Sequence, residues 1–288
     1  MAARQPSQLK SALMWSKLAS ARWEDAWIER LLFLGPGRLA IFSVPGSRSI
    51  RLEAYALNRR DAGRLTAAFG GQVRKMKGVA ALLAGDPGPP LLIRDRLVVA
   101  RSARAARAAA REHPGRSLLI IPAAMAFGTG DHATTSTCLR MVCDFASAQN
   151  GVRWEALDLG TGTGILALAA RVLGAARCDA WDYDPASVRA VRENARLNRL
   201  RGVPAARVDV TAWTPSRQWD LVTANLFSDL LVKVSGKIAS AVRPGGRLIL
   251  SGMLAAQAGE TLAGFQARGI TFQRVVRKGK WVSALGAA

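Results

Sequence analysis

Hydrophobic and polar positions alternate in a regular way through the second half of the chain. From Leu118 onward, short apolar runs that favour strands are separated by segments whose apolar residues recur at helical spacing. This alternation is typical of a parallel sheet that carries helices on both faces. The pattern predicts a seven-stranded α/β sheet that ends in an antiparallel hairpin, with strands over Glu155–Leu159, Cys178–Asp182, Ala206–Val210, Asp220–Ala224, Arg247–Ser251, Thr271–Val276 and Lys280–Leu285.

The first part of the chain has a less regular pattern and predicts a small α+β module. Apolar residues at helical spacing predict a helix from about Leu9 to Leu34, which ends at a Gly-Pro-Gly turn. Two strand candidates follow, Leu39–Val44 and Ser49–Ala54, with a turn between them. A second helix is predicted from Asn58 to Phe69 and stops at two glycines.

A run of glycine and proline over residues 85–90 is the clearest break in the sequence. After it, Leu91–Ala100 is expected to be a strand with a turn-like Arg94-Asp95-Arg96 inside it, within a connecting segment. The predicted organisation is therefore a small α+β domain over residues 1–88, a linker over 89–118 and an α/β domain over 119–288.

The charge of the chain is strongly positive. It has 41 lysines and arginines against 20 acidic residues, a formal net charge of +21. Such a balance attracts RNA or acidic proteins without selecting among them. Outside Arg94–Arg111 the arginines are scattered, and no aromatic residues interleave with that run. We therefore expect a weak, non-specific attraction to RNA rather than a dedicated RNA site.

Cysteine and histidine content argues against a metal centre. Cys138, Cys143 and Cys178 show no paired spacing, and the chain has only two histidines. The sparse cysteines suit a reducing compartment, so a cytoplasmic protein is expected. No apolar run approaches the roughly 20 residues that a membrane-spanning helix needs.

Three glycines, Gly160, Gly162 and Gly164, lie between a predicted strand and a predicted helix. In an open α/β sheet this turn is where ligands bind, because glycine lets the backbone turn sharply and approach the ligand. The dinucleotide spacing G-x-G-x-x-G would require glycine where Ile165 stands, and no Lys-Ser/Thr pair is present for a phosphate loop. The loop therefore predicts a nucleotide-like ligand without a pyrophosphate group.

An acidic residue stands at the end of the next predicted strand. Asp182 is placed to accept hydrogen bonds from both hydroxyls of a ribose, whereas Asp184, just before Pro185, is expected to cap the following helix. The strand alternation, the glycine loop and this carboxylate together predict a Rossmann-like fold that binds S-adenosyl-L-methionine and transfers its methyl group.

Four sequence blocks resemble those of the bacterial ribosomal protein L11 methyltransferase family. Their order and spacing match that family throughout, and the first block, with its pattern A-F-G-T-G-x-H-x-T-T, is uncommon among other methyltransferases of this fold. The blocks are AFGTGDHATTS at Ala126–Ser136, LDLGTGTGILALAA at Leu157–Ala170, DYDPASVRAVRENARLN at Asp182–Asn198, and ANLFSDLL with RPGGRLILSGMLAAQ within Ala224–Gln257.

The resemblance implies that Thr135, Gly160, Asp182 and Asn225 contact S-adenosyl-L-methionine, and Gly162 belongs to the same loop. Thr135 can hydrogen-bond the methionine carboxylate or amine. Asn225 ends the fourth strand beside the sulfonium, where its amide can hold both the cofactor and the incoming amine, so it is the predicted catalytic residue.

Other candidates have weaker support from the sequence. Phe127 and Phe227 could wall the substrate pocket, and Asp209, at the end of the third strand, could reach the adenine amino group. Thr134 is expected only to cap the helix that starts near it, and His132 is expected to be a structural loop residue rather than a base.

The resemblance implies an enzyme that methylates lysine or α-amino groups of a ribosomal protein, and we expect the chain to act as a monomer. The chain departs from the family at Pro122-Ala123-Ala124, Asp131 and Ala133, and its N-terminal region matches the family's recognition module only in size and pattern. One alternative is therefore a related enzyme that acts on another protein lysine or on RNA. Leu226-Phe227 argues against base methylation, which often uses two prolines and an aromatic residue there. A second alternative is a non-catalytic scaffold that binds the cofactor.

Overall fold

The structure is a computed structural model that describes residues 13–31, 34, 38–44, 46–75, 90–122 and 133–288. Contacts divide the chain into two compact units, residues 1–87 and 88–288. Each unit has a hydrophobic core of its own, and the two are described separately.

The first unit is a four-stranded antiparallel sheet with two helices. Its strands follow the order β2-β3-β1-β4 across the sheet. This order and the sequence of elements define a ferredoxin-like β-α-β-β-α-β module. The elements are β1 (Leu13–Ser20), α1 (Glu24–Leu31), β2 (Leu39–Ser43), β3 (Ser49–Leu57), α2 (Arg59–Phe69) and β4 (Gln72–Lys75).

The prediction of a helix from about Leu9 to Leu34 is wrong for residues 13–20. Residues 13–20 form β1, which lies between β3 and β4 in the sheet, and only Glu24–Leu31 is α-helical within the described residues of that range. Trp15 is buried in this strand and its indole N–H donates to the Gly70 carbonyl at 2.7 Å. Pairing on both sides and burial of Trp15 therefore override the local helical spacing of the apolar residues.

The second unit begins with a small three-stranded sheet in the segment that the sequence analysis treats as a linker. Strand β6 pairs antiparallel with β5 and parallel with β7, and the helix α3 connects the parallel pair. Ser102 caps this helix, since its hydroxyl accepts from the Ala105 N–H at 3.1 Å. The elements are β5 (Leu91–Ile93), β6 (Leu97–Ala100), α3 (Ala103–Glu112) and β7 (Ser117–Ile120).

The main sheet of the second unit has seven strands, as the alternation predicts. Their order is β10-β9-β8-β11-β12-β14-β13; the first five are parallel, and β14 is antiparallel to both of its neighbours. The strands are β8 (Glu155–Leu159), β9 (Arg177–Asp182), β10 (Ala205–Arg207), β11 (Trp219–Asn225), β12 (Val242–Leu254), β13 (Thr271–Lys278) and β14 (Trp281–Ala287).

Helices cover both faces of this sheet. Neighbouring residues of one strand, such as Leu221 and Val222, enter different hydrophobic clusters because successive side chains point to opposite faces. One cluster packs α4, α5 and α6 against the sheet and the other packs α7 and α8. These helices are α4 (Ala133–Ala148), α5 (Ile165–Val172), α6 (Pro185–Leu197), α7 (Ser228–Ser240) and α8 (Ala258–Gln266).

Asn198, at the end of α6, holds the end of β7 in place. Its side-chain oxygen accepts from the Ile120 N–H at 2.6 Å, and its side-chain nitrogen donates to the Ile120 carbonyl at 2.7 Å and to the Asn194 carbonyl at 2.8 Å. Asn194, one turn earlier, donates to the Thr163 carbonyl of the glycine loop at 2.8 Å. Two amides of α6 thus connect the strand before the AFGTG block to the glycine loop.

Asn198→Ala tests this connection. We expect it to lower the free energy of unfolding of the second unit by about 1–3 kcal/mol, since both polar groups of Ile120 lose a partner in a partly buried place. Urea denaturation followed by circular dichroism measures the change. The adjacent exposed substitution Leu197→Ala is the control and should change stability by less than about 0.5 kcal/mol. Equal effects of the two substitutions would show that Asn198 is not a structural connection.

Candidate functional site

The predicted site residues gather at the carboxyl edge of the main sheet. Gly160 follows β8, Asp182 ends β9 and Asn225 ends β11. Residues Leu159 and Trp181 are paired, as are Leu159 and Ala224, so these strand ends lie side by side. The carboxyl ends of parallel strands form the ligand crevice of open α/β sheets. The tertiary structure therefore brings together residues from three separate sequence blocks.

The glycine loop requires glycine for its backbone conformation. Gly160, Gly162 and Gly164 have φ angles of 66°, 56° and 82°, in the left-handed region that other residues rarely adopt. Gly164 is also the N-cap residue of α5. A Cβ atom on Gly160 would overlap Leu226 Cδ2, so the end of the Leu226 side chain would have to shift to make room for it.

Leu226 is held between two glycines. Its side chain lies against Gly160, and its backbone lies so close to Gly252 that a Cβ there would overlap the Leu226 carbonyl oxygen. The Leu226 N–H donates to the Ser251 carbonyl at 3.0 Å. The residue after Asn225 therefore sets the distance between the glycine loop, β11 and β12.

Asp182 lies at the tip of β9 with both carboxylate oxygens facing backbone donors. Oδ2 accepts from the Gly162 N–H and Oδ1 accepts from the Asp184 N–H, each at 2.9 Å. A carboxylate oxygen has two lone pairs, so each retains capacity for a ribose hydroxyl. Asp184 caps α6 as predicted, because its Oδ1 accepts from the Ala186 N–H at 2.8 Å.

Buried polar atoms without partners lie beside Asn225. Within the described residues, Asn225 Oδ1, Thr135 Oγ1 and Ser228 Oγ are buried and have no hydrogen-bond partner. The Asn225 side-chain nitrogen donates to Thr134 Oγ1 at 3.4 Å, which leaves its oxygen as the open acceptor. An unsatisfied buried polar group costs free energy, and such groups in a crevice are those that a polar ligand satisfies. The donors and acceptors present therefore fit the amino-acid end of S-adenosyl-L-methionine.

Thr134, which the sequence analysis assigns only to helix capping, contacts the predicted catalytic residue Asn225. Its hydroxyl accepts from Asn225, and Thr134 and Thr135 both lie in the first turn of α4 with side chains that are almost fully buried. A run of threonines at the start of a helix is the sequence signal, because more than one of them can be buried while only one is needed as a cap.

Asp158, in the middle of the LDLG run, is a second residue that the sequence analysis does not select. It is only 1% exposed, and its two oxygens accept from Thr161 Oγ1 and Thr223 Oγ1, each at 2.6 Å. Burial raises the pKa of its carboxyl to about 6, although these hydrogen bonds oppose the rise. Asp158 thus connects the glycine loop to β11. A charged residue inside an apolar strand is the sequence signal that could have identified it.

The remaining candidates contribute less to the described geometry. Asp209 is exposed, and hydrogen bonds from the Thr211 hydroxyl and N–H lower its pKa. Its contact with adenine stays a prediction. Phe227 is 72% exposed at the N-terminus of α7, and its contact with substrate also stays a prediction. Phe127 and His132 lie outside the described residues.

Among the residues that the structure describes, no three or more histidine, cysteine, aspartate or glutamate side chains lie together in a group that could hold a metal ion. Cys138, Cys143 and Cys178 are separate buried thiols. The described residues likewise include no helix long and apolar enough to cross a membrane.

The strand order, the glycine loop, the acidic end of β9 and the amide at the end of β11 define the class of the protein. These are the features of the Rossmann-like methyltransferases that use S-adenosyl-L-methionine, as the sequence predicts.

Comparison with known proteins identifies the family within that class. The sequence model described as "Ribosomal protein L11 methyltransferase (PrmA)" matches residues 88–288, which are the second unit. The chain therefore belongs to the ribosomal protein L11 methyltransferase family, which confirms the resemblance inferred from the four sequence blocks.

Individual relatives agree with this membership. A ribosomal protein L11 methyltransferase from Azotobacter vinelandii is 43% identical over 155 residues, 53% of this chain and 51% of the relative. One from Trichlorobacter lovleyi is 36% identical over 198 residues, 67% of this chain and 62% of the relative. The chain thus spans about half to three fifths of the length of the curated relatives it matches.

A solved structure shares the fold. The crystal structure of ribosomal protein L11 methylase from Lactobacillus delbrueckii subsp. bulgaricus is 22% identical, with a TM-score of 0.56, and the match covers 69% of this chain and 98% of that one. At this identity the likeness supports the architecture of the chain and nothing finer.

Gly252→Ala tests the packing around Leu226. The substitution adds a backbone overlap to the strain of a left-handed residue, so we expect a loss of unfolding free energy about 1–3 kcal/mol greater than that of its control. The control is Gly245→Ala, since Gly245 has a similar φ of 77° but open space where its Cβ would lie. Chemical denaturation of both variants measures the difference. Equal losses would mean that the Leu226 contact is not a constraint.

The buried carboxyl of Asp158 predicts a pH dependence of stability. Its pKa of about 6 in the folded state lies above the ordinary value near 3.9. As the pH falls, the folded protein therefore binds a proton at this carboxyl at a higher pH than the unfolded chain does. This favourable contribution is present at low pH and is lost as the pH rises through about 6. Between pH 7.5 and pH 5 the unaltered protein should gain about 1–2 kcal/mol relative to Asp158→Asn.

Denaturation curves of the two proteins at both pH values measure this gain. Asp209→Asn is the control, because hydrogen bonds lower the pKa of that carboxyl, so it stays ionised in the folded and unfolded states at both pH values and its removal should not change the pH dependence. A stability difference between the protein and Asp158→Asn that does not vary with pH would contradict the expectation.

Proposed function

We propose that this chain is an S-adenosyl-L-methionine-dependent protein methyltransferase that transfers methyl groups to lysine or α-amino groups of a ribosomal protein. Because of its family, we propose ribosomal protein L11 as that acceptor. The observation that carries the proposal is the pair of unpartnered buried atoms, Thr135 Oγ1 and Asn225 Oδ1, beside the glycine loop. The family membership of residues 88–288 supports the choice of acceptor.

Each part of the cofactor has residues of suitable chemistry. Asp182 would accept the ribose hydroxyls, and the backbone at Gly160 and Gly162 would contact the cofactor closely because neither has a side chain. Thr135 would bind the methionine carboxylate or amine. The bound cofactor supplies a methyl group that its positively charged sulfur already activates.

Asn225 would orient the acceptor amine. The amine must point its lone pair at the methyl group, so its N–H groups must face acceptors on the protein. Asn225 Oδ1 is such an acceptor, and its orientation is set by the hydrogen bond from the side-chain nitrogen to Thr134. Alignment of this kind can supply a large part of the rate enhancement of a transfer between two bound groups.

The acceptor lysine must be neutral before it reacts. Its ordinary pKa is near 10.4, and removal from water lowers the pKa of an ammonium group. We propose that the site desolvates the amine and that the proton leaves to water, without a dedicated base. Asp229, the carboxylate nearest to Asn225 along the chain, is exposed to solvent.

Two alternative functions can be distinguished from the proposed one by experiment. A related enzyme could act on another protein lysine or on RNA, where exposed arginines such as Arg104, Arg107 and Arg111 of α3 would attract phosphate without sequence selection. A non-catalytic scaffold would bind the cofactor but transfer nothing. We further propose that the protein acts as a monomer in the cytoplasm.

Transfer of a radiolabelled methyl group tests the proposal. The purified chain is incubated with labelled S-adenosyl-L-methionine and ribosomal extract, with and without ribonuclease, and mass spectrometry locates the label. We expect labelled lysine or N-terminal peptides of ribosomal protein L11 in both cases. Label confined to RNA would refute the acceptor, and cofactor binding without any transfer would support the scaffold.

Asn225→Ala tests the proposed role of the amide. Because alignment of the amine is lost, we expect the rate of transfer to fall by at least about 100-fold, while calorimetry still detects binding of S-adenosyl-L-methionine. Gln266→Ala, which removes an exposed amide from α8, is the control and should keep full activity. Full turnover by Asn225→Ala would overturn the assignment.

A further inference from the structure

A cavity of about 260 Å³ lies between the first turns of α7 and α8. Its lining is polar and acidic, and it is formed by Ser228, Asp229, Val232, Gln257, Glu260 and Thr261. We call this cavity the acidic pocket. It is smaller than the roughly 300–1,000 Å³ of sites that enclose whole small ligands, and so it suits a single side chain.

The acidic pocket lies at the same edge of the sheet as Asn225. Helix α7 starts at Ser228, three residues after Asn225, and α8 follows the neighbouring strand β12. Asn225 is paired with Ser251 of β12, and the Leu226 N–H donates to the Ser251 carbonyl, so the two chain segments leave the sheet together. A polypeptide that presents an amine to Asn225 can therefore reach this cavity with a nearby residue.

The charges of the acidic pocket are not neutralised by ion pairs. Asp229 and Glu260 are exposed, and neither is among the carboxylates that pair with arginine in the described part of the chain. The Thr261 hydroxyl is already satisfied, since it donates to the Gln257 carbonyl at 3.0 Å. Two carboxylates are therefore available to a cation that enters the cavity.

Ser228 provides an independent sign of a ligand. Its side chain is only 4% exposed, it lines the cavity, and its Oγ has no hydrogen-bond partner within the described residues. Acidic residues in the first turn of a helix also stabilise the helix dipole, which by itself would account for Asp229 and Glu260. That role leaves the buried Ser228 hydroxyl without a partner, whereas a bound ammonium or guanidinium group would donate to it.

We infer that the acidic pocket binds a second, non-reacting cationic side chain of the methyl-acceptor polypeptide, a lysine or arginine close in sequence to the amine that is methylated. This inference rests on the proposed function. It gives the site a means of selecting an acceptor by its neighbouring residue.

The reacting amine itself is a poor occupant of the acidic pocket. Two carboxylates beside an ammonium group would favour its charged form, which has no lone pair with which to attack a methyl group. Holding a neighbouring cation there keeps the carboxylates away from the reacting nitrogen. The chain as a whole carries a net charge of +21 and repels basic segments, so an acidic cavity beside Asn225 also directs such a segment to the site.

Peptides that differ in one charge test the inference. Each probe is an acetylated and amidated peptide with one lysine and, one to four positions away on either side, an arginine or its uncharged analogue citrulline. The full chain with S-adenosyl-L-methionine is assayed for kcat/KM on each pair. Fluorescence anisotropy of the labelled peptides measures binding separately from transfer.

At the best spacing we expect the unaltered chain to prefer the arginine peptide about fivefold or more in kcat/KM and in affinity. Asp229→Asn combined with Glu260→Gln should bring this preference close to one, and Ser228→Ala should reduce it partly. High salt should also weaken it, because the carboxylates are exposed. Glu193→Gln removes an exposed carboxylate from α6 and is the matched control, which should retain the preference.

The outcomes separate this inference from the proposed function. The inference about the acidic pocket is contradicted if the chain shows no preference for the arginine peptide at any spacing. It is also contradicted if the preference survives the double substitution in a protein with unchanged circular dichroism. If the double variant fails to fold, Asp229→Asn and Glu260→Gln are tested singly by the same criterion. Binding that depends on these carboxylates, together with no transfer to any protein of the ribosomal extract, would support the acidic pocket and refute the proposed function.

Discussion

The close approach of Leu226 to two glycines is the constraint on which the rest of the site depends. Gly160 of the glycine loop and Gly252 at the end of β12 both lie where a Cβ would overlap Leu226. Asn225 precedes this residue and α7 begins two residues after it, so the contact sets the positions of the amide and of the helix together. Asp158 adds a second connection, because its hydrogen bonds from Thr161 and Thr223 join the glycine loop to β11.

The polar groups of the site divide into those that hold the protein together and those left for a ligand. Hydrogen bonds to neighbouring backbone and side chains satisfy Asp158 and the amides of Asn194 and Asn198. Asn225 Oδ1 and Thr135 Oγ1 have no partner in the described structure. Buried polar groups without partners are unfavourable unless a ligand satisfies them, so this division separates structural residues from binding residues more clearly than residue type does.

Much of the catalytic fold could be predicted because its signals are local. Strand alternation, the glycines of the loop and the capping position of Asp184 each follow from a few adjacent residues. The first unit was harder, since β1 carries apolar residues at helical spacing and becomes a strand only through pairing with β3 and β4. The contact of Thr134 with Asn225 is hard to predict because the two residues lie 91 positions apart, and the link from Asp158 to β11 depends on Thr223, 65 positions away.

The sequence by itself determined the class of fold, the nature of the nucleotide-like ligand and the family, because each depends on motifs whose residues are close together along the chain. Only the tertiary structure decided which polar atoms remain open beside Asn225, how Leu226 spaces the strands and where the acidic pocket lies. These properties depend on contacts between strand ends and helix starts that are distant in sequence. Their geometry is set when the parallel strands align and bring one edge of the sheet together.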